Sequence, residues 1–514
     1  MIKLSGPLLA KFDANSKLAN DLNSITSALA KKDATLWGPA ASAEAAIRLN
    51  WIELPKTSQS LLPQLSQLTN WADQNGLKEL ILCGMGGSSL APEVFAKSYG
   101  KKITVLDSTD PEQVSHALRN NLAKTVVVIG SKSGSTIETA SQKLFFESEL
   151  TSQGLNPKNH IVVVTDPGSP LDKSARDADY QVINADPNVG GRFSALSAFG
   201  LVPAALMGIN VSQILQEAEL AASEFTEKDS AAVNVATLLL EQTEQFIAFC
   251  DSDSKVPGLS DWIEQLVAES TGKDQKGRLP IVIETPGSEI SGSAPLVTFT
   301  EGVGDLSVTG SLAEQFIFWE WVTALMGRGL MVDPFNQPNV TEAKDRTGAL
   351  LDKWNGAIQS PTPVFEDELF AIYTTQPANS LDEALANFFA PASGYVAVMA
   401  YLNRETDREI EKVRELIAFK TKRPTTFGWG PRFLHSTGQF HKGGQQNGAF
   451  IQISADCSID VAIPTKNYSF KTLVMAQALG DGQALSNRKY PLIRIHLKDR
   501  AKGAAALIQA LKNL

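Results

Sequence analysis

Five apolar runs between residues 79 and 184 set the pattern of the first half of the chain: "ELILCG" (79–84), "KITVLD" (102–107), "TVVVIGS" (125–131), "HIVVVTD" (160–166) and "YQVIN" (180–184). Helix-like segments separate most of them. Runs that are continuously apolar rather than alternating belong to strands covered on both faces, and their spacing by helices predicts parallel βαβ units. One doubly wound domain is expected over about residues 71–230, preceded by a helical N-terminal arm (1–70). Residues 231–280 read as helical. A second set of strands is expected at 279–284, 295–300, 395–402, 448–454, 458–463 and 491–497, with a long helix at 311–330. These predict a second α/β domain over 231–500 of less regular order, closed by a C-terminal helix at 501–514.

Composition adds mainly exclusions. With 43% hydrophobic and 20% charged residues, the 514-residue chain has the make-up of an ordinary globular protein. A net charge of -10 argues against nucleic acid or an anionic membrane surface as partner. Cys83, Cys250 and Cys457 are far apart and match no metal spacing, which fits a reduced, cytoplasmic setting. The opening "MIKLSGPLLAKFD" has too short an apolar patch for a signal peptide, and "FGLVPAALMGI" (199–209) is too short to span a bilayer.

Candidate chemistry gathers at the ends of the apolar runs. After the first, "GMGGSSL" sets Gly84, Gly86, Gly87, Ser88 and Ser89 at a strand-to-helix turn, where helix-start N–H groups form an anion cradle. After the third, "SKSGSTIET" places Ser131, Ser133, Ser135 and Thr136 around Gly134, with Lys132 to add charge. No G-x-x-x-x-G-K-[ST] occurs and no complete G-x-G-x-x-G sits at a suitable strand end, so a phosphate monoester is favoured over a nucleotide. In "NVGGRFS", Gly190 and Gly191 precede Arg192, whose fork of donors suits a developing oxyanion. Gln265 and Glu269 share a helical face in "WIEQLVAESTGKD", with the carboxylate a candidate general base. In "DPFNQPNVTEAKD", Asn336 or Gln337 is expected to cap a helix starting at Pro338, with Gln337 and Lys344 two turns apart on one face. The glycine-rich "GWGPRFLHSTGQFHKGG" carries His435 and His441 in what reads as a site loop.

Taken together, "GMGGSSLAPEVF", "SKSGSTIET", "VGGRFSALSAFGL", "QLVAES", "PFNQPNVTEAK" and "FLHSTGQ" resemble the glucose-6-phosphate isomerase family and its sugar-phosphate isomerase (SIS) domains. The likeness is closest to the isomerase half of transaldolase/isomerase fusions. The resemblance implies two doubly wound parallel-sheet, flavodoxin-like domains, interconversion of glucose 6-phosphate and fructose 6-phosphate through an enediolate, no cofactor and no metal, and a cytoplasmic homodimer. It implies that Gly87, Ser88 and the turn Ser131, Lys132, Ser133, Gly134, Ser135 and Thr136 hold the phosphate. Arg192, beside Gly191, would stabilise the enediolate, and Glu269 would be the base, with Gln265 next to it. His435 and Lys344 would serve ring opening near Gln337. In the family the histidine segment precedes the glutamine–lysine signature; here it follows it, which leaves His441 a rival to His435. A phosphosugar-binding regulator without catalysis and a dual phosphoglucose/phosphomannose isomerase remain the alternatives.

Overall fold

The computed structural model describes residues 1–514, arranged around three sheets of mostly parallel strands. Strand β1 (Lys3–Ser5) opens the chain. Strands β2 (Glu79–Gly84), β3 (Thr104–Leu106), β4 (Thr125–Gly130), β5 (Ile161–Thr165) and β6 (Gln181–Asn184) form the first sheet, in the order β3-β2-β4-β5-β6 and parallel throughout. All five lie within the expected runs. Their side chains divide by period two. Val126 and Val128 of β4 join the largest core with Leu80, Leu82, Val162 and Val164, while Val127 and Ile129 face a second core with Ile81, Cys83, Ile161 and Val163. Helices therefore cover both faces, which is why the runs carry no polar alternation.

The segment 231–500 departs from the expectation of one domain around one sheet. Its strands divide between two. Strands β7 (Phe246–Cys250), β8 (Leu279–Val282), β9 (Leu296–Thr298) and β10 (Leu306–Thr309) form the second sheet, in the order β1-β10-β9-β7-β8, with β1 antiparallel at its edge. Strands β11 (Phe365–Glu366), β12 (Phe370–Tyr373), β13 (Tyr395–Tyr401), β14 (Thr425–Trp429), β15 (Gly448–Ala455) and β16 (Leu492–Leu497) form the third, in the order β11-β12-β16-β15-β13-β14. The N-terminal arm is thus not wholly helical, and β7 interrupts the stretch expected to be helical. The run 458–463 forms no strand, only an isolated bridge at Ala462.

Two helices of the middle region pack against each other. Leu259–Thr271, after β7, is buried along nearly its whole length and carries Gln265 and Glu269. Its neighbour Leu312–Leu330 begins with a Ser311/Glu314 capping box. No helix is long and apolar enough to cross a membrane.

Candidate active site

Gly84 and Gly130 are register partners at the carboxyl ends of β2 and β4, so the two turns expected to hold an anion leave the sheet side by side. Ligands of open α/β sheets bind at such strand ends, where the strand order reverses. The first turn runs from Gly86 to Ser88 and is pressed against its neighbours. A Cβ on Gly87 would lie 1.9 Å from the carbonyl oxygen of Gly191, and one on Gly86 would lie 2.8 Å from Gln265 Nε2. Both positions require glycine, and they bring the first turn, the Gly190–Gly191–Arg192 turn and the glutamine helix into contact.

In the second turn, Ser133 and Ser135 are exposed and bond each other at 3.0 Å, while Ser131 is buried and donates to Thr136 Oγ1 at 3.1 Å. Gly134 bends the chain at φ +69°. Thr136 occupies the N-cap of the sixteen-residue helix Ile137–Ser152 without capping it through its side chain. The first-turn N–H groups and the hydroxyls form a neutral cradle at the positive end of a helix. Lys132 does not join it. Its ammonium is held by Asp166 at 2.6 Å and the Pro187 carbonyl at 3.1 Å, so the charge expected in the cradle is spent on a neighbouring loop.

Arg192 is 2% exposed, with every nitrogen of its side chain engaged. Nε donates to Ser270 Oγ (2.8 Å), one terminal nitrogen to Gln337 Oε1 (3.1 Å) and the other to the carbonyls of Pro334 (2.6 Å) and Asn336 (3.0 Å). The nitrogen facing Gln337 also lies 3.2 Å from Glu269 Oε1. Burial pulls the guanidinium below its usual pKa, against the opposing charges of Glu269 and Asp333. Asp333 shapes this arrangement: its Oδ1 accepts from the N–H groups of Phe335 and Asn336 and folds 333–336 into a turn. The helix expected from Pro338 starts instead at Thr341, with Val340 as N-cap and no side-chain cap, so Gln337 lies outside it rather than sharing a face with Lys344.

Glu269 and Gln265 meet as their spacing requires, with Gln265 Nε2 donating to Glu269 Oε2 (3.1 Å) and to the carbonyl of His435 (2.7 Å). The His435 ring donates from Nε2 to Glu138 Oε1 at 2.9 Å, and Gln477 donates to the same oxygen at 2.7 Å while accepting from Thr109 at 2.5 Å. Burial alone would raise the Glu138 pKa, but the His435 charge and hydrogen bond outweigh it and hold the carboxyl below its usual value. Glu138, His435, Gln265, Glu269, Arg192 and Gln337 thus form one continuous polar chain. Lys344 is exposed and unpaired, and its charge reaches Glu138. His441 is elsewhere in character: buried, stacked on Tyr395 at 5.8 Å, with Nδ1 bonded to the Tyr395 hydroxyl at 3.0 Å. Burial, with Lys442 beside it, lowers its pKa to about 3.

Two members of the site had no assigned role in the sequence. Glu138 follows the serine turn by two residues, yet its partner is 297 residues away. Lys273 is 3% exposed, donates to the carbonyls of Ser270 and Asp333, and has its pKa pulled far down by burial and by Arg192. A lysine just past a helix end gives no sign of pointing inward.

Comparison with known proteins places the chain in a family. A phosphoglucose isomerase family model matches residues 64–290. A glucose-6-phosphate isomerase of Carboxydothermus hydrogenoformans is 30% identical over 333 residues, covering 59% of this chain and 69% of the relative. A probable glucose-6-phosphate isomerase of Haloarcula marismortui is 33% identical over 213 residues, covering 40% of this chain and 49% of the relative. Across several of its curated relatives the match spans about half of the relative's length, 49%, 49% and 40% in three cases. The crystal structure of a glucose-6-phosphate isomerase from Chlamydia trachomatis superposes with a TM-score of 0.56 at 17% identity, covering 68% of this chain and 88% of that one, which shows a shared fold.

Proposed function

Because the chain belongs to the phosphoglucose isomerase family, we propose that it interconverts glucose 6-phosphate and fructose 6-phosphate through a cis-enediolate. The observation that carries the proposal is the contact of Glu269 with both Gln265 and Arg192, next to two strand-end turns able to hold a phosphate.

In this reading the phosphate binds the hydroxyls and N–H groups of 131–136, with Gly87 and Ser88 completing the cradle. This anchoring fixes the opened sugar over the carboxylate and contributes orientation from a part of the substrate that does not react. Glu269 removes the proton from C2 of the aldose and returns it to C1, while the hydroxyl proton on O2 passes to O1, giving the ketose. The electron pair of the broken C–H bond moves onto the carbonyl oxygen at C1, where Arg192 stabilises the negative charge. All the Arg192 nitrogens are engaged, so this oxygen takes the place of the exposed Gln337 contact. His435, held by Glu138, moves the proton in ring opening, with Lys344 near the ring oxygen. Residues 71–230 act as the phosphate-binding unit and 231–500 supply the base and histidine. The resemblance supports a cytoplasmic homodimer that uses no metal.

A coupled assay of fructose 6-phosphate conversion in the presence of a chelator tests this. Conversion that survives exhaustive chelation is expected. Binding of fructose 6-phosphate without conversion would favour a regulator, and activity restored only by added zinc or manganese would overturn the metal-free reaction.

A further inference from the structure

A cavity of about 990 Å³ lies in the third-sheet region, apart from the polar chain of the site. Its walls come from the helices Thr341–Trp354 and Phe470–Asn487, from β12 and β16, and from the loop around Ser360. Lys353, Lys489 and Arg494 line it, with no Asp or Glu among the lining residues, in a chain whose net charge is -10. The aromatic side chains of Trp354, Tyr373 and Tyr490 complete the wall.

Arg494 is the unusual member. It is 4% exposed and has no carboxylate partner. One terminal nitrogen reaches only the Met475 sulfur at 3.9 Å, the other has no hydrogen-bond partner, and the guanidinium lies 3.7 Å from the Tyr373 ring centroid. The other two buried arginines each face a carboxylate: Arg192 has Glu269 at 3.2 Å and Arg414 has Glu284 at 2.6 Å. A guanidinium taken out of water without a counter-charge is destabilising, and burial pulls its pKa down to about 10. The hydroxyl of Tyr490 is also buried without a partner. The cavity volume is within the range of small-molecule sites, which combine apolar and aromatic walls with a few polar groups.

We propose that this cavity is a second binding site, specific for an organic phosphate with an aromatic organic part, whose anionic group is paired by Arg494 with help from Lys353 and Lys489. Arginine presents a planar fork to phosphate, and the aromatic walls accommodate the organic part.

Calorimetric titration of the full chain with AMP, inorganic pyrophosphate and citrate, each with saturating fructose 6-phosphate present and absent, tests the site. AMP is expected to bind with a Kd below about 1 mM, with no competition from fructose 6-phosphate. Arg494→Met is expected to weaken that binding at least about tenfold and to leave the thermal midpoint unchanged or raised, since it removes an uncompensated charge. If that variant fails to fold, the exposed pair Lys353→Gln with Lys489→Gln is expected to weaken AMP roughly threefold or more. The proposal is overturned if AMP does not bind, if pyrophosphate or citrate binds and AMP does not, if fructose 6-phosphate displaces AMP, or if AMP binding is unchanged in these variants.

Discussion

Ser133 and Ser135 stand exposed at a helix start with each other as side-chain partners, whereas Arg192 and Glu269 lie buried side by side with every guanidinium nitrogen engaged. In the proposed reaction the first region would meet an anion with neutral groups. Its hydroxyls would exchange water for phosphate oxygens at little cost, and the positive end of the helix would provide the attraction that Lys132, held by Asp166, does not. In the proposed reaction the second region would work with full charges on buried side chains, where they are strong but must be fixed in advance. The turn Asp333 builds and the Gln265 bridge to the His435 carbonyl supply that fixing. The proposed reaction thus assigns anchoring and chemistry to two different electrostatic regimes, and substitutions in each should affect different kinetic constants.

Glu269→Gln tests the buried side and carries the largest expected effect. The amide keeps the shape and much of the hydrogen bonding but cannot take a proton. A fall in kcat of about 10²–10⁴-fold is expected, the range for a lost general base, with KM little changed. The sharper measurement follows exchange of the C2 proton of glucose 6-phosphate with solvent. Exchange at the wild-type rate in the variant would remove Glu269 from the role of base.

Ser133→Ala combined with Thr136→Ala tests the exposed side. Loss of hydrogen bonds to a charged group should weaken binding of fructose 6-phosphate by about 1–3 kcal/mol, read in KM while kcat is largely kept. An unchanged affinity would move the phosphate elsewhere, and a large loss in kcat with KM unchanged would erase the division between the two regions.

The two regions were also unequally legible in the sequence. The first sheet could be read strand by strand because burial on both faces leaves continuous apolar runs with turn residues at their ends. Strand β7 (Phe246–Cys250) has as many apolar residues but sits between helix-like segments, and five apolar residues in a row do not distinguish a strand from a short buried helix. The run 458–463 alternates well yet finds no strand to pair with beyond a single bridge. In the site, Gln265 and Glu269 were visible because helical spacing is local. The helix expected at Pro338 was displaced by longer-range chemistry: Arg192 draws on the carbonyls of Pro334 and Asn336, and Asp333 binds the N–H groups that shape their turn. Glu138 and Lys273 were missed because nothing near them in the chain marks the partner each one meets.

His435→Ala is expected to slow turnover only about tenfold, since ring opening also proceeds without help and the residue does not touch the C2 proton in the proposed reaction. An acyclic substrate analogue, which needs no ring opening, should show no such defect. A defect equal to that of Glu269→Gln would mean that the histidine, not the carboxylate, moves the C2 proton.

His441→Phe has the smallest expected effect on activity, a change within about twofold at neutral pH, because the ring packs against Tyr395 and Phe450 rather than joining the polar chain. Its consequence lies in acid stability. Burial lowers the pKa of His441 from the ordinary 6.5 to about 3, so between those values the unfolded chain binds a proton there that the folded chain does not. Stability from this group is therefore fully present above about pH 6.5 and is lost progressively as the pH falls towards 3. Replacing the ring by phenylalanine removes the difference in proton binding. It also removes the hydrogen bond to the Tyr395 hydroxyl, which lowers the thermal midpoint by a similar amount at every pH. The variant should start less stable at neutral pH and show a shallower decline of the midpoint below pH 6.5 than the parent protein, measured calorimetrically at several pH values. An equally steep decline in both proteins would mean that His441 is protonated in the fold, and would return it to contention with His435.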